Sequence, residues 1–270
     1  MLNKILLWVL ALVITLGAAV YQRLTGPTYP ISDSITIAGQ QIAYTLPRSH
    51  GGTDDLPLII PVSDTAISAE LVYKRFKTAD EFTRLPMIRQ GDSLTASLPN
   101  QPPAGKLEYY IHLSAGADQK SIPPNNTVIV RFKGAVPDAV LIPHVFFIFL
   151  AMLWSTRTGL ESLRSRADTR KLTIQTTLLL LVGGMIMGPI VQKFAFGEFW
   201  TGVPFGWDLT DNKTLIAFVG WLIALWQHRK YKYPRIWVLL AAIILIGIFT
   251  IPHSAMGSEL DYSTGEIQTG

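Results

Sequence analysis

Cysteine is absent from the 270-residue chain. That excludes disulfides, thiolate zinc sites, iron–sulfur ligation, thiol catalysis and covalent c-type haem attachment. Charge is scarce: 16% of residues are Asp, Glu, Lys or Arg, against roughly a quarter in an ordinary soluble domain. Internal repeats are missing, and the 17 prolines and 21 glycines follow no period, which excludes a solenoid. What is plentiful is apolar surface. Hydrophobic residues make up 49% of the chain and the mean hydropathy is +0.31. This balance excludes a soluble, disordered or collagenous chain and points to a membrane protein carrying one non-membrane module.

A helix needs about 20 mostly apolar residues to cross a bilayer. Residues 5–21, 139–156, 172–191, 214–227 and 236–252 meet or approach that length. The expected fold is therefore a multi-pass α-helical membrane protein with five transmembrane helices and an inserted external all-β sandwich. Its expected divisions are an anchor at 1–21, an external module at 22–138, a four-helix bundle at 139–253 with an outer loop at 192–213, and an external tail at 254–270. Lys4 and Gly17-Ala18-Ala19 also suit a cleaved signal peptide; the run is read here as an uncleaved anchor.

Loop charge sets the sidedness. Loop 157–171 holds Arg157, Arg164, Arg166, Arg170 and Lys171, and loop 228–235 holds Arg229, Lys230, Lys232 and Arg235. Loop 192–213 has only Lys193 and Lys213 beside three acids, and the tail after 252 has no Lys or Arg. The positive-inside rule places the two basic loops and the amino terminus in the cytoplasm. The module, the outer loop and the carboxyl tail then face outward, as expected of a cell inner (cytoplasmic) membrane protein with a periplasmic domain. The lipid bilayer and a protein at the outer face are the expected partners, and nucleic acid is not expected. His228 reads as solvated within the basic run.

Residues 34–133 read as seven or eight short strands. The segments SITIAG, QIAYTL, LPLIIPV, SAELVYKRF, FTRLPMIR, DSLTASL, KLEYYIHL and TVIVRF are β-branched and aromatic, and Gly, Pro and Asn turns separate them. Val72-Tyr73-Lys74-Arg75, Leu85 to Asp92, Ala96-Ser97-Leu98-Pro99 and Leu107 to Ile111 resemble bacterial immunoglobulin-like or fibronectin-III-like modules. His50 and His112 have neither a Ser-His-Asp arrangement nor metal spacing around them, so a binding or spacer role is expected. His112 alternates with Tyr110 and shares its face.

The tripeptide Ile-Pro-His occurs twice, at Ile142-Pro143-His144 and Ile251-Pro252-His253. The first is expected to open the second span and the second to close the fifth, so both histidines lie at the outer interface. Pro fits a helix's first turn and serves as a stop near its end. Between them, the segment Phe194–Thr214 carries six aromatics and three acids. Asp211 reads as the cap of the fourth helix, which leaves Asp208 for another task. Gly184 and Gly188 have the GxxxG spacing of close helix contact. The spans hold almost no ionisable residue away from their ends, which argues against a pump.

Trp200 and Trp207-Asp208, followed by Leu215-Ile216 and Trp221-Leu222-Ile223-Ala224, resemble the tryptophan-rich haem-handling signature of the cytochrome c assembly proteins. Phe205 stands where that family carries a further Trp. The resemblance implies haem b at the outer face, with His144 and His253 as axial metal ligands. Trp200, Phe205, Trp207 and Asp208 would line the platform. Presentation of haem or electron transfer is implied, with no turnover at protein side chains. The rival expectation is a non-catalytic accessory subunit whose sandwich docks an external partner. A third possibility is a metal held by His253 with Met256, Glu259 and Asp261.

Overall fold

In the computed structural model, residues 4–252 and 257–268 are described, and they form two compact units. One is built from residues 4–27, 136–252 and 257–258, the other from 28–135 and 259–268.

The first unit is helical: α1 (Lys4–Thr25), α2 (Asp138–Ser162), α3 (Arg170–Leu180), a π-helical turn (Leu181–Met187) running straight into α4 (Gly188–Phe196), α5 (Leu209–Lys230) and α6 (Arg235–Thr250). Three of these stretches, Lys4–Thr25, Asp138–Ser162 and the continuous Arg170–Phe196, are long and apolar enough to cross a membrane; α6 is apolar but shorter. Ala151, Leu180, Trp221, Ala224, Val238 and Leu245 are buried at the centre. Small residues permit the approach, and a Cβ on Gly159 would lie 2.6 Å from the Ala242 Cβ. Trp221 is fully buried while Trp226, five residues on, is exposed.

The helix ends meet in two groups. At one end, the Gln22 amide donates to the Phe249 carbonyl at 2.6 Å and the Lys213 ammonium to the Ile251 carbonyl at 2.9 Å. At the other, Trp8 meets Trp154 edge-on, and Arg235 donates to the Ser162 and Leu163 carbonyls at 2.8 Å each.

Helix α2 overruns the expected 157–171 loop. Glu161 pairs with Arg157 and Arg164, both at 2.6 Å. Arg235 satisfies carbonyls at the end of α2 that have no partner within the helix. Arg157 and Glu161 are consequently buried, Arg157 under the face of Trp8. His228 is not solvated, as its position in the basic run suggested. It is half-buried, with Nε2 at 3.4 and 3.3 Å from the Thr169 and Thr173 hydroxyls.

The second unit is built of β-strands: β1 (Ile31–Ile37), β2 (Gln40–Leu46), β3 (Ser49–Gly51), β4 (Leu56–Pro61), β5 (Ser68–Arg75), β6 (Thr83–Pro86), β7 (Ile88–Gln90), β8 (Ser93–Leu98), β9 (Lys106–Ala115), β10 (Asp118–Ile122) and β11 (Val128–Lys133). One sheet runs β3-β11-β9-β5-β6 with β10 also on β9; another runs β4-β8-β7; β1 and β2 form a hairpin. All eight expected segments carry strands. β3 and β10 were not expected, because Ser49-His50-Gly51 and Asp118 to Ser121 are polar and lack the alternation that marks a strand. The segment FTRLPMIR divides between sheets. Met87, buried with its N–H on the Ala69 carbonyl, separates β6 from β7.

Leu58, Ile60 and Leu94 from the smaller sheet, Leu71, Tyr109, Ile111 and Phe132 from the larger, and Ile37, Ile42 and Leu46 from the hairpin share one core. Each such side chain contributes about 1.5–3 kcal/mol on full burial.

Part of the expected external tail joins this unit as β12 (Glu259–Leu260) paired with β13 (Ile267–Gln268). The Leu260 N–H bonds the Ala104 carbonyl at 3.1 Å, and Glu259 pairs with Lys106 and Lys77 at 2.9 and 3.1 Å. The Tyr262 hydroxyl accepts the Lys106 N–H at 2.9 Å, and its proton lies between the Lys106 carbonyl and the Gln101 side chain.

Candidate functional site

The aromatic loop spans Gly197 to Trp207. Gly197 ends α4 with φ of 89°, a left-handed conformation that glycine adopts without steric cost. Beyond the loop, α5 starts behind Asp208. This reverses the expected capping: Asp208 is the N-cap, its Oδ1 accepting the N–H groups of Thr210 at 2.8 Å and Asp211 at 3.3 Å. Its Oδ2 accepts the Ser258 hydroxyl at 3.0 Å and the Ser258 N–H at 3.3 Å.

Asp211, in the first turn of α5, turns its carboxylate to the loop. Oδ2 accepts the Thr201 N–H at 2.6 Å, the Gln192 amide at 3.0 Å and the Gly202 N–H at 3.1 Å. Asn212 adds an acceptor for the Val203 N–H at 2.8 Å. A Cβ on Gly202 would lie 2.7 Å from the Asp211 Cβ, so only glycine allows the loop this close. Both aspartates are buried and bound from within the protein. The sequence holds the signal in the spacing Asp208, Asp211, Asn212, but the cap position could not be told from the third residue of the helix. Gln192, Asn212 and Ser258 were not anticipated.

The loop therefore has a fixed polar base and an apolar crest. Phe205 is 81% exposed and Trp207 is 74% exposed. Trp200 is half-buried, its indole N–H on the Val203 carbonyl at 3.1 Å. Phe199 lies under the Lys193 ammonium, 5.4 Å from the ring centre.

His144 sits inside α2, which starts at Asp138 behind Pro137. Pro143 is thus within the helix rather than at its opening, and it cannot donate to the carbonyl four residues back. The His144 Nδ1 lies 2.9 Å from the Gly183 carbonyl. A carbonyl only accepts, so Nδ1 carries the proton and Nε2 bears the lone pair. Gly183 belongs to the π-helical turn, where its carbonyl also receives the Gly188 N–H. A Cβ on Gly183 would lie 2.9 Å from the Ile148 backbone nitrogen, and one on Gly184 would lie 2.7 Å from the Thr214 Cγ2. The close contacts fall on Gly183 and Gly184. A Cβ on Gly188 would lie an ordinary 3.8 Å from the His144 Cε1, so the expected Gly184/Gly188 pair is tight on one side only.

His253 and Met256 lie outside the described residues. Glu259 is committed to Lys77 and Lys106, and Asp261 to Ser263 and Gln268. Among the described residues no cluster of three or more His, Asp or Glu has metal-site geometry. No protein-family model and no curated protein matches the chain.

Proposed function

We propose that this chain is a five-span inner-membrane protein with an external immunoglobulin-like β-sandwich, and that it handles haem at its outer face as cytochrome-assembly proteins do. Sidedness and helix grouping support the topology. Gln22, Lys213 and Phe249 cluster at one end, and Arg235 with the basic stretches at the other, as alternating passes under the positive-inside rule require.

The haem reading rests on one observation, the His144 Nδ1 contact to the Gly183 carbonyl. Metal-ligating histidines usually give their second nitrogen to a carbonyl or carboxylate, which fixes ring and tautomer. No hydrogen bond between described residues engages Nε2. His144 would therefore hold the haem iron through Nε2, with His253 as the second ligand in this reading. Haem would supply a redox-active iron. The protein's part is to hold the His144 ring in place and to offer the Phe205 and Trp207 rings, with Trp200, as an apolar shelf. Asp208 and Asp211 hold that shelf from beneath.

The test is an absorption spectrum of the purified full chain, oxidised and dithionite-reduced, after expression with ample haem. A Soret band with sharp reduced α and β bands, lost in both His144→Ala and His253→Ala, is the expected result. A featureless spectrum from the unaltered protein would overturn the reading. The exposed Phe205–Trp207 crest would then fit an accessory subunit's docking surface.

A further inference from the structure

The β unit carries a concavity of its own. Along β9, Leu107, Tyr109, Ile111 and Leu113 face the core, while Tyr110 and His112 are half-buried on the opposite face. β10 runs beside them with Ser121 opposite His112. The 124–127 loop and Ile35 of β1 complete an open groove of about 750 Å³. Ligand sites typically occupy about 300–1,000 Å³.

The groove's lining is mostly uncharged and rich in hydrogen-bonding groups. Among its lining residues Lys120 is the charged one, and its ammonium is bound to the Thr36 carbonyl. No carboxylate lines it. Gln119, Asn125 and Asn126 bring three side-chain amides, each offering two donors and an acceptor. Asn125 holds φ of 55°, a left-handed bend that Asn tolerates better than most residues. The Tyr110 ring meets Phe82 edge-on at 5.8 Å between centres.

A cationic ligand would find no counter-charge here, and the one ammonium, that of Lys120, is held at the Thr36 carbonyl. A peptide adding as a strand needs a bare sheet edge. The edge of β10 is instead tied to the β1 end, where the Ala38 N–H bonds the Asp118 carboxylate at 3.0 Å and Lys120 bonds the Thr36 carbonyl. A sugar ring presents an apolar C–H face and a rim of neutral hydroxyls. An aromatic ring beside a row of amides matches both.

We propose that this groove binds a neutral saccharide chain, with one sugar ring on Tyr110 and its hydroxyls on the amides of Gln119, Asn125 and Asn126. This stands apart from the haem reading, which concerns the helical unit.

The test uses the full chain in lipid nanodiscs, so that no glycosidic detergent competes. Chitotriose, cellotriose and maltotriose are presented separately, and saturation-transfer NMR reads binding. At least one should bind, and its affinity should fall about ten-fold or more in Tyr110→Ala and in Asn126→Ala. Tyr110→Phe, which keeps the ring, should retain it. Asn126 is exposed, so Asn126→Ala tests the groove even if Tyr110→Ala unfolds. Three outcomes would overturn the proposal: no binding of any trisaccharide, affinity unchanged in Asn126→Ala, or an uncharged peptide bound through the same residues while the sugars are not.

Discussion

The Asp211 carboxylate accepts the backbone N–H of Thr201 at 2.6 Å across the base of the aromatic loop. The same oxygen receives the Gly202 N–H and the Gln192 amide. One side chain of α5 thus fixes the course of a loop whose crest is apolar and exposed. Asp211→Ala would leave these buried donors without an acceptor, at about 1–3 kcal/mol for each group not reached by water. Deuterium exchange of residues 197–207 should quicken sharply while β9 stays protected. Exchange confined to α5, with the loop unchanged, would count against the anchoring role.

Asp208 performs a different task, and the two aspartates separate by substitution. Its Oδ1 caps α5, so Asp208→Ala should cost about 1 kcal/mol, within the ~0.5–2 kcal/mol range of N-cap losses. Asp208→Asn keeps an oxygen on the cap but turns its amide toward the Ser258 N–H, so it should recover only part of the loss. Asp211 receives the Thr201, Gly202 and Gln192 donors on Oδ2 alone, so Asp211→Asn can keep an oxygen there and should lose less than Asp211→Ala. Thermal unfolding of the four variants gives the order directly.

The glycines of the π-helical turn allow a test of close packing against backbone constraint. A Cβ on Gly184 would meet the Thr214 Cγ2 at 2.7 Å, whereas one on Gly183 would meet the Ile148 backbone nitrogen at 2.9 Å. Overpacking of this kind typically costs about 1–3 kcal/mol. Thr214→Ser removes the offending methyl and should recover most of the loss in Gly184→Ala. No side-chain change clears the backbone clash of Gly183→Ala, which should also displace the acceptor of His144. Equal rescue of both variants by Thr214→Ser would refute this account.

The sequence carried the architecture where its patterns were long. The five apolar runs became helices, and the alternation of β9 put Tyr110 and His112 on one face with the buried row on the other. It failed where a side chain's partner lies far along the chain. The Glu161 pairs with Arg157 and Arg164 are local, but the end of α2 is closed by Arg235, more than 70 residues on. Asp208 and Asp211 are both acids at a helix start, and only the approach of Thr201 and Gly202 distinguishes their roles. The hairpin at Glu259–Gln268 is polar and short, and its order comes from Lys77, Ala104 and Lys106 of the β unit, which no local pattern reveals.

That hairpin should respond to acid in a defined direction. Burial works to raise the Glu259 carboxyl, but hydrogen bonds from Lys106 and Lys77 and the charges they carry outweigh it, and its pKa lies below the ordinary glutamate value. A carboxylate depressed in the folded state adds stability above its unfolded pKa and loses it as pH falls through the folded one. The contribution of Glu259 should therefore be complete at neutral pH. It should shrink only below the ordinary glutamate range. Deuterium exchange of residues 259–268, corrected for intrinsic rates, should show loss of protection in that acid window. Glu259→Gln should flatten the corresponding part of the profile. Tyr262→Phe should weaken the hairpin at every pH, by about 1–3 kcal/mol for the Lys106 N–H left without its acceptor, and leave the shape of the profile intact. If Glu259→Gln and the unaltered protein gave the same acid profile, the Lys77–Glu259–Lys106 cluster would not be what holds the hairpin down.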